Sequence, residues 1–481
     1  MLKRQHRFAM LKYIKGNIWL LIIPIVRGLI SLKSDFYSWF KMTYMDIFVI
    51  IVVFALAWLK WYRVQFEFSE KGIYVKKGVV VKSEFFVPYS VISCVVVYQS
   101  ILMRAFKIVK INIETETCSG QKRQKKKEIF LIVSEIDYSQ IYKNIPINCS
   151  NKKIEYHALK KDIVIYSMCF SSVIPGLIYI GSFIIQGKKI VGEKIEIEFL
   201  SVVNELTDSL KKFTEDISAI ILTLLIIIAV GWFISFILKL IRYSNFKICR
   251  LEKNILIENG HFSNWKYYVN SSSVHSVEIR QNLIMKLAKK MSLYVNCAGY
   301  GEQKNEQPIF VPMTTKKRGM GILKELLPDF TKSNNMLTTK RALLGYIWLP
   351  LILVVGVAVV TAVLCTNFYN WAETIQFAGI MLEIPLVYFL AVQIVAKVST
   401  GIGVSDRAVT MSYCRAAHFH TVIVLKERIA YIKIRRTFFQ RASGCCDVIV
   451  YTGGRCVKTH RMRGIIFKDA EKLVENYDKT C

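Results

Sequence analysis

The chain has 481 residues, is 53% hydrophobic and carries a formal charge of +31 at pH 7. Soluble proteins of this length rarely combine those values, so an ordinary soluble enzyme is excluded in favour of bilayer spans alternating with exposed basic domains. Its 12 scattered cysteines show no C-x-x-C and no pairing with His at ligand spacing, which argues against a zinc or disulfide framework and for small apolar fillers.

In chain order, Lys3, Arg4, Arg7, Lys12 and Lys15 precede two apolar runs, 17–32 and 46–59. The first run contains Pro24 and Arg27, and no small-x-small cleavage site follows, so it reads as a retained anchor. Residues 63–150 then alternate as strands. Phe66-Glu67-Phe68, a turn at Glu70-Lys71-Gly72 and Ile73-Tyr74-Val75 form a hairpin pattern. Lys77-Gly78 turns the chain before Val79-Val80-Val81, and strands follow near 85–89, 93–98, 107–115 and 128–133. Residues 99–104 suit a short helical turn, and 138–145 a closing helix.

The same order returns twice. Apolar runs at 163–185 and 217–240, joined by the acidic loop 187–216, lie in a second hairpin segment, 151–243, followed by a β segment at 244–332. Runs at 343–365 and 377–396 lie in a third, 333–397, followed by 398–481. A related patch marks each β segment: Gln99-Ser100-Ile101-Leu102-Met103-Arg104, Gln281-Asn282-Leu283-Ile284-Met285-Lys286 and Arg436-Thr437-Phe438-Phe439-Gln440-Arg441. Pro24, Pro175 and Pro350 each fall in the first run of a hairpin. A unit copied three times explains all of this. The expected fold is an α+β membrane protein with six transmembrane helices in three hairpins. A small β-barrel or sandwich closed by a C-terminal helix follows each hairpin.

The arrangement Glu70-Lys71-Gly72-Ile73, Lys77-Gly78, Val87-Pro88-Tyr89, Ile92 and 99–104 resembles the type-2 bacterial PH-like domain, bPH2. Three such domains, each behind a hairpin, resemble the YdbT-like membrane proteins of Gram-positive bacteria. The second copy has Val269-Asn270 in place of Pro-Tyr, and the third has Arg436-Thr437 in place of Gln-Ser. The resemblance implies the PH-like fold, a role in the cell envelope or its response to antimicrobial stress, and as partner a shorter membrane protein with one such domain.

Lys and Arg concentrate in the N-terminus and the three β segments, while the hairpin loops are poorer in them. The positive-inside rule then places both termini and all three domains in the cytoplasm of a bacterial cell, with a multi-pass membrane region between them. No catalytic constellation, metal site or cofactor site is expected. There is no phosphate loop, no H-E-x-x-H and no G-x-S-x-G, and His418 and His420 share a strand face without further ligands nearby.

The candidate contacts for anionic inner-leaflet lipid or a partner are Lys122, Arg123, Lys125, Lys126, Lys127, Lys286, Arg435, Arg436 and Arg441. Nucleic acid is not expected, because the aromatics fall in strands and at span ends instead of interleaving with a basic face. The expected function is a non-enzymatic scaffold or interaction platform at the inner leaflet. The alternative is lipid handling or transport through the six helices, for which Arg27 and Glu383 are the candidate intramembrane polar residues.

Overall fold

The computed structural model describes residues 2–22, 36–115, 129–144, 152–170, 201, 219–251, 254–297, 300, 309–333, 337, 343–369, 372–405, 407–415, 417–453 and 458–478. The first unit opens with strand β1 (Lys3–Arg4), then helices α1 (Met10–Asn17) and α2 (Phe36–Tyr62). Strands β2 (Gln65–Phe68), β3 (Gly72–Lys77), β4 (Ser83–Pro88) and β5 (Ile92–Gln99) follow. A short helix α3 (Ile101–Ala105), strands β6 (Ile108–Thr115) and β7 (Ile129–Ser134), and a closing helix α4 (Glu135–Asn144) complete it.

β1 pairs with β2, so the segment before the hairpin is strapped to the segment after it. Trp61 reinforces the strap by donating Nε1–H to the carbonyls of Gln5 at 3.0 Å and His6 at 3.2 Å. β2, β3 and β4 continue the sheet antiparallel. Gly72 permits the close β3–β4 approach, because an added Cβ would lie 2.4 Å from the Val87 carbonyl oxygen. Gly78 turns the chain with φ 115°, a conformation open to glycine. The apolar run 79–81 therefore falls in a turn instead of a strand, with Val80 92% exposed.

The second unit runs β8 (Lys152–His157), α5 (Lys160–Phe170), α6 (Ala219–Tyr243), β9 (Lys247–Leu251), β10 (Asn254–Asn259), β11 (Asn264–Asn270), β12 (Val274–Gln281), α7 (Leu283–Leu287), β13 (Lys290–Cys297), β14 (Ile309–Thr315) and α8 (Lys316–Leu326). β8 opens where the sequence reading begins the second hairpin, and it pairs with β9 as β1 does with β2. The third unit has helices α9 (Leu343–Asn367) and α10 (Ala372–Ser399), then β15 (Gly401–Val404), β16 (Ala408–Arg415), β17 (His418–Leu425), β18 (Ile429–Arg435), α11 (Phe438–Ala442), β19 (Cys445–Thr452), β20 (Lys458–Ile466) and α12 (Phe467–Asp478). Here, among the described residues, a bridge from Leu337 to Ile402 takes the place of the strap.

The domains share their sheets. Strands β7-β6-β5 of the first domain continue into β11-β10-β9-β8 of the second as one seven-stranded sheet. Strands β14-β13-β12 of the second continue into β17-β16-β15 of the third as a six-stranded sheet. The cores are shared too. Val95 and Val97 of β5 pack with Tyr268 of β11 in one cluster, while Cys94 and Val96 on the opposite face join the core of the second domain. Whether the domains touch, which the repeat alone leaves open, is answered by edge-to-edge pairing.

Among the described residues, two helical segments are long and apolar enough to cross a membrane, Ile226–Tyr243 and Ile347–Asn367. Ile47–Tyr62 and Pro385–Ser399 are apolar but shorter. The expected runs 17–32 and 163–185 extend into residues outside the described ones. α9 and α10 approach closely at Gly379, where an added Cβ would stand 2.4 Å from Thr361 Cγ2, the small-residue contact that lets two apolar helices associate.

Candidate interaction edges and membrane-facing site

The two joints are built differently. At the first, β5 and β11 are antiparallel with Gln99 opposite Asn264 and Val95 opposite Tyr268. The Tyr98 and Trp265 rings lie 4.2 Å apart across it. At the second, β12 and β17 pair in the equivalent register, Gln281 opposite Phe419 and Val277 opposite Ile423. Here one face carries charge. Glu278 accepts a hydrogen bond from His420 Nδ1 at 2.5 Å and one from Arg280 Nε at 3.0 Å.

Burial opposes ionisation of Glu278, but the His420 hydrogen bond and the Arg280 charge outweigh it and hold the carboxyl at about 2. Nearby, burial lowers His460 to about 4, and its Nδ1 lies 2.9 Å from the Tyr413 hydroxyl. His420 is thus engaged in a hydrogen bond to Glu278 and His418 packs against Phe170. Among the described residues no group of three or more His, Cys, Asp or Glu is placed to hold a metal.

The recurring sequence patch becomes the short helices α3, α7 and α11. Ser100 Oγ caps the first by accepting from Met103 N at 3.2 Å, and Asn282 Oδ1 caps the second by accepting from Met285 N at 2.8 Å. In the third, the Gln440 side chain instead accepts from Thr437 N at 2.9 Å. Each helix exposes large apolar residues: Ile101 and Leu102, Ile284 and Leu287, and Phe438. Two of them abut hairpin ends. Met103 packs with Trp61 at the end of α2, and Lys286 donates to Ser399 Oγ at the end of α10.

Basic cavities lie at hairpin ends as well. One of about 430 Å³ is lined by Gln393 of α10 with Tyr413, Cys414, Arg415, Thr459, Arg461 and Arg463. A second, of about 200 Å³, lies at the end of α2 and is lined by Arg63, Lys76, Lys77 and Lys82 among others. Arg461 pairs with Asp447, with N–O distances of 2.6 and 3.0 Å, and Arg415, Arg461 and Arg463 are all exposed.

The sequence candidates distribute unevenly over this surface. Lys122, Arg123, Lys125, Lys126, Lys127 and Arg27 lie outside the described residues. Lys286 is turned inward, 4.3 Å over the Phe419 ring as well as bonded to Ser399, and burial lowers its pKa. Arg436 lies 4.0 Å over the Phe467 ring of the closing helix. Arg435 and Arg441 are exposed. Glu383 is a partly exposed residue of α10, two positions before Pro385. Arg415, Arg63, Lys76, Lys77 and Lys82 were not among the sequence candidates for headgroup contact, because each flanks a turn with at most one like neighbour.

A family model described as bacterial PH domain matches three times, over residues 11–143, 181–327 and 344–480. The UPF0699 transmembrane protein YdbT of Bacillus subtilis (strain 168) is 22% identical to this chain over 413 residues, covering 80% of this chain and 79% of that protein. With the repeated sheets, the shared short-helix patch and the apolar helices, these matches make the chain a YdbT-like membrane protein that belongs to the bacterial PH domain family and carries its domain three times.

Proposed function

We propose that this protein is a non-enzymatic, multi-pass scaffold of the bacterial cell membrane. Six helices in three hairpins anchor it, both termini and the three domains are cytoplasmic, and the domains form an interaction platform along the inner leaflet. Continuity of the sheets across both joints is the observation that carries this reading, since it turns three tethered domains into one rigid row. The exposed apolar short helices and the basic cavities at hairpin ends give that row a surface suited to anionic headgroups. A shorter membrane protein with one PH-like domain is the partner that the family resemblance offers such a platform, in the envelope or under antimicrobial stress.

The transport alternative has less support. Of its two candidate polar residues, Arg27 lies outside the described residues, and α9 and α10 close on each other at Gly379 and Thr361.

The lipid-facing part is tested by purifying the full chain in native nanodiscs and quantifying the lipids retained. Each surface Lys or Arg contributes roughly 1 kcal/mol toward anionic lipid, so Arg415→Gln with Arg463→Gln should lower the enrichment of anionic over zwitterionic lipid about 10- to 30-fold at the site. Equal lipid profiles for variant and wild type would remove the headgroup role from this cavity.

A further inference from the structure

We infer that the row of domains extends from one molecule to the next, with β18 of one copy pairing antiparallel to β4 of a second copy. This rests on the scaffold reading and specifies its partner as another molecule of the same chain.

The repeat points to this pairing. β5, β12 and β18 occupy the same place in their domains, each running into a short helix, and β4, β11 and β17 are likewise equivalent. β5 takes β11 and β12 takes β17, in matching registers. Among the described residues this leaves one strand of each kind without its partner, β18 at one end of the chain and β4 at the other. The remaining sheet ends (β7, β14 and β20 on one side, β1, β8 and β15 with its Leu337 bridge on the other) recur in every domain whether or not it has a neighbour, so they do not signal a missing one.

Side-chain exposure marks the same two strands. Tyr268 of β11 reaches across the first joint into the core of the preceding domain and is 5% exposed, and Ile423 of β17 is 0% exposed. Their counterpart on β4, Phe86, is 49% exposed, and no described strand pairs along that edge of β4. On the other side, Cys94 of β5 and Ser276 of β12 are 0% and 4% exposed, whereas their counterpart Tyr431 on β18 is 53% exposed. Carrying the internal register over sets Tyr431 opposite Val87, Ile432 opposite Phe86 and Arg435 opposite Ser83. Phe86 would then cover the Ile432 and Ile434 side of the third domain, as Tyr268 covers Val95 and Val97.

The contact is heterologous, so repeating it builds an arc, a ring or a filament. An unpaired strand edge is itself a template for such pairing. Each internal joint relates two domains that follow hairpins in one chain, so the same operation keeps the next copy alongside in the same membrane.

The test uses full-length chains in native membrane vesicles. Copies carrying Ser83→Cys and copies carrying Arg435→Cys, with different tags, are co-expressed and mildly oxidised. A third preparation carries Gln99→Cys and Asn264→Cys in one chain, to report the first internal joint. The expected result is a disulfide-linked species of two chains bearing both tags, absent when either variant is paired with wild type and lost when Phe86→Lys is added. The internal disulfide of the doubly substituted chain should form in all backgrounds. If the internal bond forms and the two-tag species does not, pairing between copies is wrong and the platform stands. If neither forms, the platform reading falls and this inference with it. If the chain carrying Arg435→Cys is captured by a smaller protein in place of a second copy, the assignment to this chain is overturned.

Discussion

Replacing Glu278 with Gln tests whether charge holds the second joint together. A carboxyl held at about 2 against an ordinary 4.5 corresponds to about 3 kcal/mol in favour of the ionised, paired form. Breaking a buried pair by removing one partner costs about 3–5 kcal/mol. The Glu278 and His420 side chains are 20% and 13% exposed, which favours the lower end. Gln retains one acceptor for Arg280 or His420, so the net loss should be about 2–3 kcal/mol. Amide hydrogen exchange on the full chain in nanodiscs would read this as about 30- to 150-fold faster exchange in β12 and β17 if they open as a local unit. The first joint, β5 with β11, carries no such pair and serves as the internal control. Because the folded pKa of Glu278 is depressed, its contribution is complete above about 4.5 and is lost as pH falls toward about 2. The variant should lack this acid-dependent loosening. Unchanged exchange in β12 and β17, or equal loosening of both joints, would refute the assignment of the joint to this ion pair.

His460 gives a second pH dependence in the opposite residue class. Burial depresses it to about 4, so the fold favours its neutral form, and the third domain should be most stable above about 6.5 and lose about 3 kcal/mol as pH falls to about 4. His460→Gln should flatten the thermal-unfolding midpoint of that domain across this window. Gly72→Ala places a Cβ where the Val87 carbonyl oxygen lies 2.4 Å away and the Pro88 Cα 2.8 Å away, both backbone. Overpacking of this kind costs about 1–3 kcal/mol, and limited proteolysis should show β3 and β4 opening first while the third domain is unaffected.

Much of each domain is legible in the sequence because alternation, turns and caps act locally. Phe66-Glu67-Phe68 and Ile73-Tyr74-Val75 become β2 and β3 with the expected turn between them, and Ser100 and Asn282 cap the short helices inside the recurring patch. β20 is less legible, since Arg461 and Arg463 interrupt its apolar pattern and face a cavity that the hairpin end completes. The basic candidates show the limit of reading by clusters. Lys286 looks free beside its neighbours, yet Ser399 and Phe419 draw it inward from far along the chain. Arg415 and Arg463 stand apart in sequence and meet only when β16 and β20 pack under α10.

The joints did leave a trace. A strand with one face in solvent alternates, and β5 does not: Cys94-Val95-Val96-Val97 is an unbroken apolar run, as expected of a strand covered on both faces. β12 achieves the same coverage with a polar face, Ser276, Glu278 and Arg280, on which Glu278 bonds both Arg280 of its own strand and His420 of the partner strand. β18 returns to alternation, with Ile432 and Ile434 on one face and Tyr431, Lys433 and Arg435 on the other. Within one repeat, the same position therefore passes from apolar to paired-polar to open. The open version still offers a full backbone ladder and an apolar flank, and solubility at that edge is supplied by Lys433 and Arg435, the charged side chains that proteins use to keep an unpaired edge selective.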